Sequence, residues 1–201
     1  MIISDIIPLN TKKSKIIFLD GESIALYNGE IRRMDITVGR EISEEEYYIT
    51  VYPILKKRAF ARLLHILEIS FKSENDIIKK LRLSFYPDEA IKEAIEKAVK
   101  FGYIDDERYA ERYINTYKNR YSKLKLKYKL MEKGINKEII DNALESCSVD
   151  EIPMIKKLLN KKHYFETDET DKKQKIIASI MRQGFKYQKI KDVINDTSIG
   201  E

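Results

Sequence analysis

Most of this chain repeats itself. Residues 77–95, moved forward by 49 positions and then by another 50, meet the same kind of side chain each time. Ile77 falls on Leu126 and Ile176, Leu81 on Leu130 and Ile180, and Ile91 on Ile140 and Ile190. Ala94 meets Ala143 and Val193, and Ile95 meets Leu144 and Ile194, whereas Ala90, Ile139 and Lys189 form an imperfect column. Apolar residues recurring three and four apart mark one buried stripe of a helix. Between the two helices of each copy, Phe85, Gly134 and Gly184 share a slot, followed by Tyr86, Ile135 and Phe185. Glycine there suits a helix end that needs positive φ, and the apolar residue after it can fold back onto the last turn. Phe85 breaks that pattern, which predicts a different closure in the first copy. A further helix precedes each pair, over residues 58–69, 106–117 and 152–162, with Asp105 and Asp106 where an N-cap belongs. The chain therefore reads as three copies of a three-helix unit of about 50 residues, joined by helix-turn-helix-like turns into an elongated array.

The first 40 residues follow another rule. Residues 15–19 and 23–27 are short β-rich runs separated by Asp20-Gly21-Glu22, a strong hairpin signal because Gly accepts positive φ in the turn. Asn28-Gly29 reads as a second turn, with a third strand around residues 31–36. Ser43-Glu44-Glu45-Glu46 has the spacing of a capping box opening a helix, which Pro53 should kink or divide. The fold class expected is mainly α, three tandem three-helix repeats behind a small β-hairpin region. The boundaries expected are 1–54 for the N-terminal region and 55–104, 105–150 and 151–201 for the repeats.

Composition removes several alternatives. Seven Gly and four Pro are few chain breakers for 201 residues, against a many-turned β-sandwich. No run of about 18 apolar residues occurs, so no membrane helix is expected. Residues 1–11 include Asp5 and Pro8 without a basic leader region, unlike a secretory signal. The single Cys147 cannot form an internal disulfide, which fits a cytoplasmic chain. There is no glycine-rich phosphate loop, and neither His65 nor His163 has a ligand-spaced partner. The acidic clusters 44–46 and 105–107 sit at helix N-termini, where capping and the helix dipole explain them. No catalytic residue, metal or cofactor is expected, and the chain is not read as an enzyme.

The net charge of +5 is unevenly spread. Residues 1–58 carry nine basic and nine acidic side chains, residues 59–116 ten and eleven, and residues 117–201 nineteen and thirteen. The excess is densest where Lys118, Arg120, Lys123, Lys125, Lys127, Lys129 and Lys133 face one acid, Glu132. Such a run is either a solvated helix face or a set of ammonium groups reaching phosphates, with Leu126 and Leu130 turned inward. Tyr109, Tyr113, Tyr117 and Tyr121 recur every four residues. Ala110 and Ile114 complete an inward face with Tyr109 and Tyr113, whereas Tyr117 and Tyr121 adjoin the lysines and could equally pack or stack on bases.

One segment is distinctive. Gly102-Tyr103-Ile104-Asp105-Asp106-Glu107-Arg108-Tyr109-Ala110, followed by Tyr113-Ile114, resembles a segment of the RecX family, regulators of the RecA recombinase. Leu126, Leu130 and Lys133-Gly134-Ile135 resemble a second family segment, and Lys72-Ser73-Glu74 with Ile77, Lys80 and Leu81 a third. The likeness runs from about residue 15 to the C-terminus, strongest in the central copy and weakest in the last. Ser122 stands where the family usually has Gly, Leu124-Lys125 where it has Arg-Arg, and Lys129 where it has Glu. The resemblance implies a cytoplasmic, all-helical array of three-helix repeats lying in the groove of the RecA filament on DNA, and the chain is read as a monomer. It also implies suppression of RecA's ATPase, strand exchange and co-protease activity. On this reading the cations from Lys118 to Lys133, with Tyr117 and Tyr121, meet filament or DNA phosphates without sequence preference. Gly102, Tyr103, Asp105, Asp106, Tyr109, Ala110, Gly134 and Gly184 would form the structural motif. The alternative is a helix-turn-helix DNA-binding regulator acting without RecA. Such a reader needs Arg, Asn or Gln at base edges, but the helices after the turns carry Lys137, Glu138, Asp141 and Asn142, or Asp88, Glu89, Lys92 and Glu93.

Overall fold

A computed structural model describes residues 1–198, with a three-stranded sheet followed by helices. The chain divides into two compact units, residues 1–105 and residues 106 onwards.

The first unit opens with β1 (Ile3–Pro8), β2 (Lys13–Phe18) and β3 (Ser23–Tyr27), an antiparallel meander in that order. Ile16 stands between Ile6 and Ile24, and Ser14, Ile16 and Phe18 alternate toward the interior. The expected hairpin between β2 and β3 is present. Gly21 takes φ +87°, and the Asp20 carboxylate accepts from the Glu22 backbone N–H at 3.0 Å.

The third strand expected after Tyr27 is instead β1, ahead of the hairpin. The segment after Tyr27 forms helix α1 (Asn28–Arg33). Glu30 decides this, because its carboxylate accepts the Tyr27 backbone N–H at 3.0 Å and also receives the Arg58 guanidinium. A helix start satisfied from within outweighs the β preference of Ile31 and Ile36. Asn28 is fixed by Ser14, whose hydroxyl donates to it at 2.8 Å.

Ser43 caps α2 (Glu44–Glu46) by accepting from the Glu46 N–H at 3.0 Å, while the Glu46 carboxylate binds Arg40. One π-helical turn over Tyr47–Val51 then leads into α3 (Tyr52–Ile69). The Tyr52 N–H reaches back five residues to the Tyr47 carbonyl. Pro53 lies within the first two positions of α3, where its missing N–H costs little, so the helix starts six residues before the expected residue 58. α4 (Glu74–Arg82) and α5 (Asp88–Lys100) complete the first triad, each packing against α3 and the other. One hydrophobic core joins Ile3 and Phe18 of the sheet to Leu55 and Leu63 of α3, Leu81 of α4, Ile95 of α5 and Ile104.

The second unit holds two triads: α6 (Asp106–Tyr117), α7 (Lys123–Glu132) and α8 (Lys137–Ser146), then α9 (Ile152–Lys161), α10 (Thr170–Met181) and α11 (Tyr187–Ser198). The pairings of the first triad recur in both. The repeat columns are its physical content: Ile77, Leu81, Leu126, Leu130, Ile180, Ile140 and Ile190 are all fully buried.

Phe85 corrects one expectation. It closes α4 as the glycines close α7 and α10, with φ +61° against +79° at Gly134 and +92° at Gly184. The Tyr86 N–H bonds the Leu81 carbonyl at 3.3 Å, as the Ile135 N–H bonds that of Leu130 at 3.1 Å. A left-handed non-glycine residue costs about 1–2 kcal/mol. The first triad tolerates this with Lys15 Nζ lying 4.7 Å from the centre of the Phe85 ring.

Candidate nucleic-acid interface

The structure places the lysine-rich run on the turn after α6, along α7 and at its C-cap, with Tyr117 at the end of α6. Ser122 builds the start of α7. Its hydroxyl accepts from the Lys125 N–H at 3.3 Å and donates to the Gln183 carbonyl at 2.8 Å, and the residue is buried. The Cβ that Gly184 lacks would stand 2.5 Å from that hydroxyl oxygen. Glu151, also buried, accepts the Lys123 N–H at 2.9 Å and the Lys189 ammonium at 2.6 Å. The imperfect column at Lys189 thus has a cause: a lysine replaces an apolar residue because it neutralises a buried carboxylate. These contacts hold the first turn of α7 against the third triad.

Lys123 and Lys125 occupy that first turn, both exposed. A helix N-terminus carries partial positive charge and favours acids, as α4 shows with Glu74 and Asp76 in its own first turn. Local helix physics therefore does not account for the two lysines. Arg120 and Lys125 both approach the Tyr121 ring, at 5.5 and 4.7 Å from its centre.

The tyrosines form a continuous ladder. Tyr109 and Tyr113 stack at 6.2 Å, Tyr113 and Tyr117 lie tilted at 4.6 Å, and Tyr117 and Tyr121 stack at 5.4 Å. Tyr109 is buried with Ala110 and Ile114, as expected, and the other three are half-buried. Burial, followed by the neighbouring phenols, raises the pKa of Tyr113.

Other members of the run make contacts within the protein. Lys127 is paired with Asp141 of α8. Lys129 lies 3.4 Å from Glu132. Lys118 donates to Asn115 at 2.9 Å and to the Cys147 carbonyl at 3.4 Å, bonding a carbonyl at the end of α8. Lys133 is half-buried and also has a partner. Arg120, Lys123 and Lys125 thus remain the most outward members of the expected set. Cys147 is a buried helix-end residue, and His65 and His163 each lie beside a glutamate three residues on, at 3.4 and 2.8 Å.

The motif residues have structural places. Gly102 ends α5 at φ +70°, and the Tyr103 N–H returns to the Ala98 carbonyl at 2.9 Å. Asp105 directly precedes α6, and Asp106 begins it. Tyr103 is exposed and 6.2 Å from the Phe101 ring.

Residues 105–144, which are α6, α7 and most of α8, match the family model described as "RecX, second three-helix domain". "Regulatory protein RecX" of Caldanaerobacter subterraneus subsp. tengcongensis is 30% identical over 98% of this chain and 100% of that protein. The chain belongs to the RecX family. "Regulatory protein RecX" of Clostridium acetobutylicum is also 30% identical, over 81% of this chain and 76% of that protein. A crystal structure of regulatory protein RecX superposes with a TM-score of 0.65 at 25% identity, covering 94% of this chain and 98% of that one. RecX from Lactobacillus salivarius gives a TM-score of 0.64 at 25% identity, over 73% of this chain and 99% of that one. As a RecX-family member the chain is assigned a regulatory role and a mainly helical repeat fold. No helix among the described residues is long and apolar enough to cross a membrane.

Proposed function

We propose that this protein binds RecA and the RecA–DNA filament as a monomeric, cytoplasmic, non-enzymatic regulator. It lowers RecA's ATPase, strand-exchange and co-protease activities. Membership of a family of regulatory proteins supports the regulatory class. The observation that carries the binding reading is the placement of Lys123 and Lys125, exposed at a helix start that would favour acids. Charge placed against the local preference of the fold serves contact with an anionic neighbour. With Arg120 and Lys125 against Tyr121, it presents cations and a ring together, as backbone-tracking nucleic-acid surfaces do. The repeated triads supply several modest contacts, which reinforce one another at high effective concentration.

The alternative reader of DNA sequence is disfavoured by α8, where Glu138 and Asn142 are exposed and Asp141 is engaged with Lys127. A strong preference for one duplex sequence over random duplexes would favour that alternative.

The test is the DNA-stimulated ATPase of RecA titrated with this protein. Inhibition is expected. Replacing Lys123, Lys125, Lys127 and Lys129 with Gln should weaken filament binding about tenfold and reduce its salt dependence by about 0.7–0.9 per lost phosphate contact. Because Lys127 and Lys129 already have intramolecular partners, the Lys123→Gln, Lys125→Gln pair should produce most of the loss. Unchanged inhibition and salt dependence in the fourfold variant would remove these lysines from the mechanism.

A further inference from the structure

Helix α7 has a second apolar stripe, pointing away from the core. Leu126 and Leu130 fill the interior and are fully buried. Leu124, Tyr128 and Met131 lie on the opposite side at i, i+4 and i+7, and are 46, 57 and 48% exposed. At 100° per residue, Lys123 and Lys127 border this stripe on one side, and Lys125 and Lys129 on the other. A solvated helix face has the reverse order, with charges outermost and apolar atoms toward the edges.

The repeat supplies internal controls. The positions corresponding to Leu124, Tyr128 and Met131 are Asn75, Lys79 and Arg82 in α4, and Gln174, Ala178 and Met181 in α10. The triad therefore folds without an outer apolar stripe. Among the three corresponding helices, α7 has large apolar side chains at all three outer positions, α10 keeps only Ala178 and Met181 and α4 has none, so the full stripe is a property of the surface, separate from the packing.

We propose that the outer face of α7 docks onto a protein surface, an apolar patch rimmed by Asp and Glu carboxylates. Charge complementarity identifies this occupant: Lys127 and Lys129 are engaged with Asp141 and Glu132, but the exposed Lys123 and Lys125, one on each flank, match an acidic rim, and the stripe between them matches its apolar centre. A phosphate backbone would engage the lysines but leave Tyr128 and Met131 in water. The inference rests on the RecA-filament reading above and assigns this face of the protein to the protein component of the filament.

The decisive variant is Tyr128→Gln with Met131→Gln, which keeps helix propensity and all charges. Binding of wild type and variant is measured on RecA filaments over a range of salt and on bare single-stranded DNA, with thermal unfolding followed in parallel. The variant should lose about tenfold on filaments, keep the wild-type salt slope, and bind bare DNA within about twofold of wild type. If the double variant does not fold, Tyr128→Gln alone carries the same expectations at a smaller loss. Wild-type filament binding by the folded variant would overturn this inference and leave the filament reading standing. Parallel losses on filament and bare DNA would also overturn it, reassigning Tyr128 to base stacking. Absence of filament binding by the wild-type protein would overturn the filament reading, and this inference with it.

Discussion

The first triad and the second are built from one pattern and put it to different uses. α4 and α7 both begin after a buried serine, Ser73 or Ser122, that accepts the N–H three residues on. Both bury the same two apolar positions, Ile77 and Leu81 or Leu126 and Leu130. Outside that core they diverge. α4 opens with Glu74 and Asp76 and has Asn75, Lys79 and Arg82 outermost. α7 opens with lysines and has Leu124, Tyr128 and Met131 outermost. The inner face is constrained by packing, where a missing methyl group leaves a cavity. The outer face is free of that constraint, so its chemistry records what the helix meets.

The equivalence of the inner faces can be broken with the largest expected effect. Leu81→Ala and Leu130→Ala should each destabilise their unit by about 3 kcal/mol, read from urea unfolding. A loss in one triad more than about twice that in the other would show that the columns align in sequence but differ in packing. A smaller effect separates the helix ends. Gly184→Ala combines a left-handed backbone with a contact at Ser122, and should cost about 2 kcal/mol. Phe85→Gly relieves strain but loses the Lys15 contact, so it should stay within about 1 kcal/mol of wild type by the same unfolding measurement.

The smallest effect is alkaline. Burial, with Tyr48, Glu22 and Glu89 nearby, pushes the Tyr47 hydroxyl up to about 12. Burial and then a hydrogen bond to Glu93 raise Tyr52 as well. A raised phenol favours the protonated folded state, so its contribution is complete below the ordinary value near 10 and declines as pH rises toward 12. The first unit should therefore lose about 1 kcal/mol between about pH 9 and about pH 11, seen as a lower urea midpoint. A midpoint independent of pH across that interval would show that these tyrosines ionise equally in the folded and unfolded chain.

Much of this was readable from residue order. The hairpin at Asp20-Gly21, the Ser43 cap and the helix at 106–117 each rest on local chemistry: a glycine that accepts positive φ, a hydroxyl within reach of an N–H, an apolar period of 3.6. The expected strand at 31–36 failed because Glu30 answers both to the Tyr27 backbone and to Arg58, 28 residues away. The expected start at residue 58 failed because a π-helical turn carries the chain smoothly into Pro53. The lysine run was visible as composition, but not the pairing of Lys127 with Asp141 of α8 or the outer apolar stripe between the lysines. A helical wheel drawn on α7 would have found that stripe, since its spacing is local.

Sequence alone determined the helical class, the threefold recurrence and the inward residues, because each depends on periodicities within one helix or turn. Tertiary structure decided which cations face outward, why Lys189 occupies an apolar column and why Gly184 must lack a side chain. Those outcomes depend on Glu151 and Ser122 meeting residues 38 and more than 60 positions away. A buried charge or a close approach is settled by distance in space, which no local period encodes.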